Sequence, residues 1–152
     1  MTQQILICYD ASQDAERAVD TAAALLGPRR AVVLNVAPPM SCGEGIAATS
    51  SLAPGGTFED VNHVQAIRRA EEGAELARSA GFDAEARAEI ASTTWQGIID
   101  VAGELDAAAI VIGSRGLGGL REHALGSLSH HVATHTRRPA LIVPSPRGPR
   151  AG

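Results

Sequence analysis

Five segments of strand-like composition alternate with four segments of helix-like periodicity along this chain. Apolar runs at 5–9, 31–36, 108–113 and 140–143 have the length of buried strands, and small and charged residues alternate at 84–90. The intervening segments place apolar residues three and four positions apart, which is the spacing of amphipathic helices. This order is typical of a parallel sheet with helices on both faces. The sequence therefore predicts an α/β fold, a single-domain Rossmann-like open sandwich around a five-stranded parallel sheet.

Capping residues mark the predicted helix boundaries. Ser12 suits the N-cap of the first helix, and a second, charged helix is predicted over 59–80. Thr93 and Gln96 form a capping-box pattern that opens a third helix, and a fourth ends before Pro139. The alternating segment that precedes the third helix is predicted to be a strand at or near a sheet edge, because it carries many charged side chains.

Length and composition fit one globular domain. Of the 152 residues, 45% are apolar and 20% are charged, and a chain of this length can bury a full core. We expect a domain over residues 1–144 and a flexible tail over 145–152. The Gly- and Ser-rich segment 40–58 is expected to be a loop. No apolar run approaches the roughly 20 residues of a membrane span, and no signal peptide opens the sequence, so we expect a cytoplasmic protein without membrane contact.

Charge is unevenly distributed. The formal net charge is −4; residues 1–106 carry 7 Arg against 16 acidic residues, whereas residues 107–152 carry 6 Arg against Glu122. All basic residues are arginines, because the chain contains no lysine. The overall negative charge argues against a nucleic-acid partner.

The positive part contains the segment IVIGSRGLGGLREHALGS, which runs from Ile110 to Ser127 and places five glycines in the range 113–126. Glycine loses more backbone entropy on folding than any other residue, so this density needs a reason. Ligands of open parallel sheets bind beyond the carboxyl ends of the strands, and glycine-rich turns and helix N-termini present backbone amides to phosphate. We call residues 113–126 the glycine segment and interpret it as a phosphate-binding cradle.

Two common phosphate motifs do not fit the glycine segment. A P-loop requires a lysine, which the chain lacks. The dinucleotide fingerprint GxGxxG, started from Gly116, requires glycine where Arg121 stands, and it follows a first strand rather than a fourth. The spacing that the chain does carry is G-x2-G-x9-G-S, formed by Gly113, Gly116, Gly126 and Ser127.

This spacing resembles the ATP-binding motif of the universal stress protein family. ILICYDAS is similar to the family's first strand and acidic turn, VVLNVAPP to its second strand, IVIGSRGLGGLREHALGSLSHHV to its signature and RPALIVP to its last strand. The chain departs from the family at ASTT (91–94), where a Gly-Asp-Pro-like turn is frequent, and at Ala107, where aspartate is common. The resemblance implies that the first and fourth strands lie side by side, so that Asp10 and Gly113 meet.

The resemblance also implies which residues bind the nucleotide. Asp10 would hold the ribose or the adenine, Val36 would contact the adenine through its backbone, and Ile112 would line the ribose and phosphate path with Gly113. The phosphates would be held by Gly116, Gly126, Ser127, Leu128 and Ser129. The full set of expected cofactor-binding residues is Asp10, Ala11, Ser12, Val36, Ile112, Gly113, Ser114, Arg115, Gly116, Gly126, Ser127, Leu128 and Ser129. Two alternatives remain open at this point: Asp10 could only shape its turn, and Ser127 could only cap its helix.

The implied function is an ATP-binding, nucleotide-responsive regulatory module in stress response, with Mg²⁺ bound through the phosphates of ATP. Binding of AMP or cyclic AMP is an alternative, and slow ATPase or autokinase activity is another. A homodimer is expected through the last strand, 140–143, because an apolar sheet edge exposes unpaired backbone groups that a second copy can cover. The family resemblance points to the same dimer.

Catalysis has little support in the sequence. Phosphoryl transfer needs positioned charge and a group that orients the nucleophile. Arg115 and Arg121 are the basic residues within the glycine segment, and nothing in the sequence orients Glu122 or His123. We therefore expect no catalytic residue and, at most, very slow ATP hydrolysis or autophosphorylation.

Histidines cluster after the glycine segment, and His131 and His135 have the four-residue spacing of zinc-binding helices. The glutamate of HExxH is missing, so we interpret these residues as a solvated histidine face and expect no metal site. Trp95, just before the third helix, is expected to serve packing.

Overall fold

The computed structural model describes residues 3–39, 58–115 and 126–146. Within these residues the strands are β1 (Ile5–Cys8), β2 (Arg30–Ala37), β3 (Asp83–Ile90), β4 (Ile110–Gly113) and β5 (Ala140–Val143). They form one sheet in the order β3-β2-β1-β4-β5, and every neighbouring pair is parallel. The predicted fold is confirmed, and so is the edge position of the alternating strand, which is β3.

Four described helices alternate with the strands along the chain and cover both faces of the sheet. They are α1 (Gln13–Leu26), α2 (Phe58–Ser79), α3 (Thr94–Glu104) and α4 (Ser127–His135). Ile5 and Ile7 of β1 pack on the side of α1 and α2, whereas Leu6 and Cys8 pack on the side of α3 and α4. Burial on both faces explains why the strand reads as a continuous apolar run.

Small residues bring α2 close to the sheet. Ala70, Ala74 and Ala77 are completely buried. A Cβ atom on Gly73 would lie 2.5 Å from the Tyr9 ring, so the contact between this ring and the helix requires glycine. A chain with only 3% aromatic residues thus builds its core by close backbone approach rather than by large side chains.

The two predicted helix starts have different outcomes. Ser12 is the N-cap of α1, and its Oγ accepts a hydrogen bond from the Ala15 N–H at 3.2 Å. Thr93 is the N-cap of α3, but its side chain makes no capping hydrogen bond. The predicted capping box is therefore wrong, because Gln96 instead places Nε2 3.4 Å from Asp100 Oδ1 on the exposed side of its own helix.

The predicted loop over 40–58 and the predicted tail over 145–152 lie largely outside the described residues. Of 40–58, only position 58 is described, and it opens α2. Of the predicted tail 145–152, the structure describes positions 145 and 146, and Ser145 is hydrogen-bonded there. The domain boundary after residue 144 stays a prediction.

Candidate functional site

The strand order reverses between β1 and β4, which pair in parallel at the centre of the sheet. Leu6 lies opposite Ile110 in this pair. The residues that leave both strands, Asp10 and Ser114, therefore emerge at the same edge. This adjacency confirms the strand order that the family resemblance implied, and the carboxyl edge at such a reversal is where open α/β sheets bind ligands.

The turn that follows β1 is held by its own side chains. Asp10 Oδ1 accepts a hydrogen bond from the Ser12 N–H at 3.0 Å, and Ala11 between them has a φ of 64°. This left-handed conformation is unfavourable for a residue with a Cβ atom, so the surrounding hydrogen bonds must fix it. Asp10 therefore shapes the turn, which is compatible with a second role toward a ligand.

Asn35 supports the same turn from the neighbouring strand, and the sequence reasoning missed it. It is 4% exposed, and its Nδ2 donates a 2.8 Å hydrogen bond to the Tyr9 carbonyl. Because a carbonyl can only accept, this bond fixes the orientation of the amide. The available signal was a lone amide inside the apolar run AVVLNV.

Ser114 joins three parts of the chain beyond the end of β4. Its N–H donates to the Val143 carbonyl at 2.8 Å, and its carbonyl accepts from the Gly126 N–H at 2.8 Å. The same carbonyl accepts from Ser129 Oγ at 3.1 Å, while Ser114 Oγ accepts from the Ser145 N–H at 3.1 Å. Ser114, the second residue of the glycine segment, thus binds both Gly126, the last residue of the segment, and the end of β5.

Gly113 and Gly126 are places where main chains touch. A Cβ atom on Gly113 would lie 2.9 Å from the Asp14 carbonyl oxygen, and one on Gly126 would lie 2.7 Å from the Ser114 carbonyl oxygen. Both distances are shorter than real Cβ contacts. The sequence analysis explained these glycines by the approach of a phosphate, whereas the structure adds a second reason, the packing of α1 and α4 on the end of β4.

The start of α4 presents backbone amides at this edge. Gly126 is its N-cap, and the His130 N–H donates to the Gly126 carbonyl at 3.0 Å. The amides of residues 127–129 are those that a helix leaves without an intrahelical acceptor. Ser127 is exposed, whereas Ser129 is buried and its hydroxyl contacts the carbonyls of Ser114 and Gly126. In this structure the Ser129 side chain serves the fold.

The remaining expected site residues lie around these segments. Ile112 is buried beneath α3 and α4, and Leu128 packs against the same cluster. Val36, near the carboxyl end of β2, is half-buried and lies beside Gly97 of α3. Gly116 lies outside the described residues. The structure thus brings Gly113–Arg115 and Gly126–Ser129 together, with the Asp10 turn on the adjacent strand and Val36 one strand further.

Asp14 and Ser145 also belong to this edge, although sequence reasoning assigned them no role there. The Asp14 carboxylate accepts hydrogen bonds from Ser145 Oγ and, at 2.8 Å, from Arg17 Nη1, and the Arg115 backbone helps to stabilise its charge. Burial raises the pKa of this carboxyl group, but the hydrogen bonds from Ser145 and Arg17 outweigh burial and lower it below 3.8. Asp14 is therefore ionised at neutral pH. Its partners are distant in sequence, so no local pattern could reveal them.

Two titratable side chains at the end of β1 stay protonated. Burial, with a smaller effect of the Asp10 charge, raises the pKa of the Cys8 thiol to about 12. Burial and the charges of Glu72, Glu16 and Asp10 raise the pKa of Tyr9 to about 12 as well. Neither side chain supplies a nucleophile at neutral pH, because the reactive form of each is the anion.

His131 and His135 of α4 lie against the Trp95 ring. The Nδ1 atoms of His131 and His135 lie 2.7 and 2.9 Å from carbonyl oxygens of their own helix, and their nearly parallel rings are 5.9 Å apart. The Trp95 ring stacks on the His131 imidazole at 5.7 Å between centroids and lies tilted against the His135 imidazole at 4.5 Å. Among the described residues, no group of three or more His, Cys, Asp and Glu side chains is placed to hold a metal ion.

Comparison with known proteins agrees with this geometry. The model of the universal stress protein family matches residues 1–144. The chain belongs to the universal stress protein family. A curated relative, universal stress protein YxiE of Bacillus subtilis (strain 168), is 31% identical over 153 residues, which cover 94% of this chain and 99% of YxiE.

Solved structures of similar proteins share the fold of this universal stress protein. The protein MJ0577 has a TM-score of 0.76 at 21% identity, with 97% of this chain and 99% of MJ0577 covered. A universal stress protein in complex with cAMP has a TM-score of 0.65 at 23% identity, over 93% of this chain and 97% of that one. The Archaeoglobus fulgidus protein in complex with dAMP has a TM-score of 0.63 at 21% identity, over 94% and 98%.

No helix among the described residues is long and apolar enough to cross a membrane. The longest of them, α2, has 22 residues and contains many charged side chains.

Proposed function

We propose that this universal stress protein is an ATP-binding, nucleotide-responsive regulatory module in the cytoplasm, with no nucleic-acid partner. The observation that carries the proposal is the meeting of the main chain at 113–115 with the start of α4 at the carboxyl edge of the sheet. Amides at a helix start favour anions through their free N–H groups and the helix dipole. The relatives that bind cAMP and dAMP support an adenine nucleotide as the ligand.

In the proposed complex the phosphates lie on the ends of the glycine segment, and Asp10 holds the ribose or the adenine. The Val36 backbone contacts the adenine. Mg²⁺ requires no dedicated protein cage, since it is commonly held by substrate phosphates and water. When bound, it would neutralise part of the phosphate charge that the amides and Arg115 face.

AMP and cyclic AMP are the alternative ligands, supported by the monophosphates in the two solved relatives. The purified protein should be denatured, and any released nucleotide identified by chromatography. Calorimetric titration with Mg-ATP, AMP and cyclic AMP then ranks the ligands. ATP as the tightest of the three supports the proposal, while a tighter monophosphate would replace ATP as the ligand.

A charge placed at the start of α4 tests the phosphate position. Ser127→Asp introduces a carboxylate beside the proposed phosphates, yet negative charge in a first helical turn favours the helix. We expect the affinity for ATP to fall by about tenfold or more, given the repulsion of unit charges a few ångströms apart, while the melting temperature of the free protein is kept. Gln96→Glu adds the same charge to the first turn of α3 and is the matched control. Equal affinities of the two variants would argue against phosphates at α4.

Binding rather than turnover is the proposed role. The chain has no lysine to position a γ-phosphate, and a site that binds ground state and transition state equally well does not raise turnover. We expect phosphate release from saturating Mg-ATP to be far slower than the typical enzyme rate of about 10 per second. Turnover near about one per second that is lost in Glu122→Gln or His123→Ala, with binding retained, would make the protein an enzyme.

We also propose a homodimer through β5, the last strand in the sheet order. The Ile110 N–H donates to the Pro139 carbonyl and the Ser114 N–H to the Val143 carbonyl, so odd-numbered residues of this stretch direct their backbone groups toward β4. The Ile142 amide therefore points to the open edge. The substitution Ile142→Pro therefore removes a backbone N–H at the open edge of the sheet and leaves the N–H groups that bind β4 in place.

Sedimentation velocity at micromolar concentration provides the test. We expect a dimer for the wild type and a monomer for Ile142→Pro, with circular dichroism unchanged. A monomeric wild-type protein would contradict the dimer.

A further inference from the structure

The Asp14 carboxylate connects three separate parts of the chain. Its side chain is 12% exposed. It binds Arg17 on its own helix and the hydroxyl of Ser145 beyond β5. The Arg115 backbone, near the start of the glycine segment, helps to stabilise its charge. An acidic residue in a first helical turn often serves the helix dipole alone. That role requires neither Arg115 nor Ser145, and Ser12 already caps the helix through the Ala15 N–H.

Ser145 reaches both described ends of the glycine segment through one intermediate residue each. Its Oγ donates to Asp14, whose main chain packs against Gly113 and whose charge the Arg115 backbone helps to stabilise. Its N–H donates to Ser114 Oγ at 3.1 Å, and the Ser114 carbonyl holds the Gly126 N–H at 2.8 Å. The half-buried Ser145 thus makes two hydrogen bonds, and each leads to a different end of the segment.

We propose that Ser145 is a positioning residue for the nucleotide site, acting through Asp14 and Ser114 to hold the main chain at 114–115 in the binding conformation. The inference rests on the proposed function, since it assigns the regulation of that site to a residue outside the glycine segment. A main chain that is already fixed loses less conformational entropy when a ligand binds. Removal of the Ser145 hydroxyl therefore weakens binding without touching the ligand.

Three serine variants test the proposal. Ser145→Ala deletes the hydroxyl that Asp14 accepts, and Ser145→Thr keeps it. Ser79→Ala is the matched control, because the Ser79 hydroxyl bonds only the Glu75 carbonyl of its own helix among the described residues. Calorimetric titration with Mg-ATP should give a dissociation constant about three- to tenfold higher for Ser145→Ala, because binding must then order roughly one additional group. The other two variants should stay within about twofold of the wild type.

Hydrogen exchange of the ligand-free protein gives a second readout. In Ser145→Ala the amides of Ser114 and Arg115 should exchange about three- to tenfold faster, because this segment opens more often once one ordering contact is lost. The amides of β1 should stay unchanged. Ser145→Thr should restore the wild-type rates, and Asp14→Asn should behave like Ser145→Ala.

The outcomes separate this inference from the proposed function. If ATP binds the wild type and Ser145→Ala equally well, or if exchange at residues 114–115 is the same in both, the positioning role is wrong and the proposed function stands. A lower melting temperature with unchanged affinity would likewise show that Ser145 serves only the fold. If the wild type binds no adenine nucleotide, the proposed function fails. Hydrogen exchange in the free protein then still tests whether the Ser145 hydroxyl holds the main chain at 114–115.

Discussion

Replacing Gly126 with alanine should destabilise the protein even when no ligand is present. The added Cβ atom would lie 2.7 Å from the Ser114 carbonyl oxygen. That oxygen cannot yield easily, because it already accepts hydrogen bonds from the Gly126 N–H and Ser129 Oγ. The backbone of Gly126, with φ −56° and ψ 155°, is one that alanine adopts without strain, so the cost is steric.

The size of the effect follows from this contact. Overpacking of a well-packed site costs about 1–3 kcal/mol, and a weakened hydrogen bond adds about 1 kcal/mol. We therefore expect Gly126→Ala to lower the free energy of unfolding by about 2–4 kcal/mol in urea titrations of the ligand-free protein. If the glycine served only the approach of phosphate, the variant would lose affinity and keep its stability.

Gly103→Ala is the control for this experiment. A Cβ atom on Gly103, in the last turn of α3, would meet nothing within 4 Å. Alanine favours a helix over glycine by up to about 1 kcal/mol, so this variant should be as stable as the wild type or more stable. A Gly126→Ala protein that unfolds at the same urea concentration as the wild type would refute the steric argument.

Four further predictions concern titration, thiol reactivity and packing. The carboxylate of Asp14 has a lowered pKa, so the stability that it contributes is complete above pH 3.8 and is lost as the pH falls through the lower pKa of the folded state. Urea titrations of the wild type and Asp14→Asn should therefore give the same free energy of unfolding in strong acid. The folded protein keeps the Cys8 thiol protonated up to about pH 12, whereas the unfolded chain loses this proton above pH 9.0, so stability should decline between these values. In a folded Cys42→Ser variant at neutral pH, Cys8 should resist a thiolate-selective reagent and react once urea unfolds the chain. Ile7→Ala, at a position with 0% exposure, should cost about 2–5 kcal/mol, whereas Leu25→Ala, at 66% exposure, should change stability by less than about 0.5 kcal/mol.

Local patterns were sufficient to predict the elements of the fold. The continuous apolar run of β1 indicated a strand buried on both faces, and the charged alternation at 84–90 indicated an edge strand; both predictions are confirmed. Ser12 could be identified as a cap because its partner, the Ala15 N–H, is three residues away. The capping box predicted at Thr93 and Gln96 did not form, since the same short-range rule leaves open which partner Gln96 finds on its exposed helix face.

The site could be predicted only in part, because its hydrogen bonds join residues far apart in sequence. The spacing of Gly113 and Gly126 indicated a cradle, and the strand order that places Asp10 beside it came from the family resemblance. The bond from Ser145 to Asp14 spans 131 residues and the one from Ser129 to Ser114 spans 15. Neither pair has a periodicity or motif, so only the three-dimensional structure could bring these side chains together.

The hydrogen bond between the Ser145 amide and Ser114 Oγ also has a practical consequence for reporter design. It holds the end of the described chain, at residues 145–146, beside the start of the glycine segment. A small environment-sensitive fluorophore attached to a cysteine at Pro146, which is exposed, would sit next to the proposed phosphates without replacing any expected nucleotide-binding residue. Since Cys8 is buried and protonated, such a label would not attach to it in the folded protein. With Cys42, the other cysteine, replaced by serine, the domain could be converted into an optical nucleotide sensor.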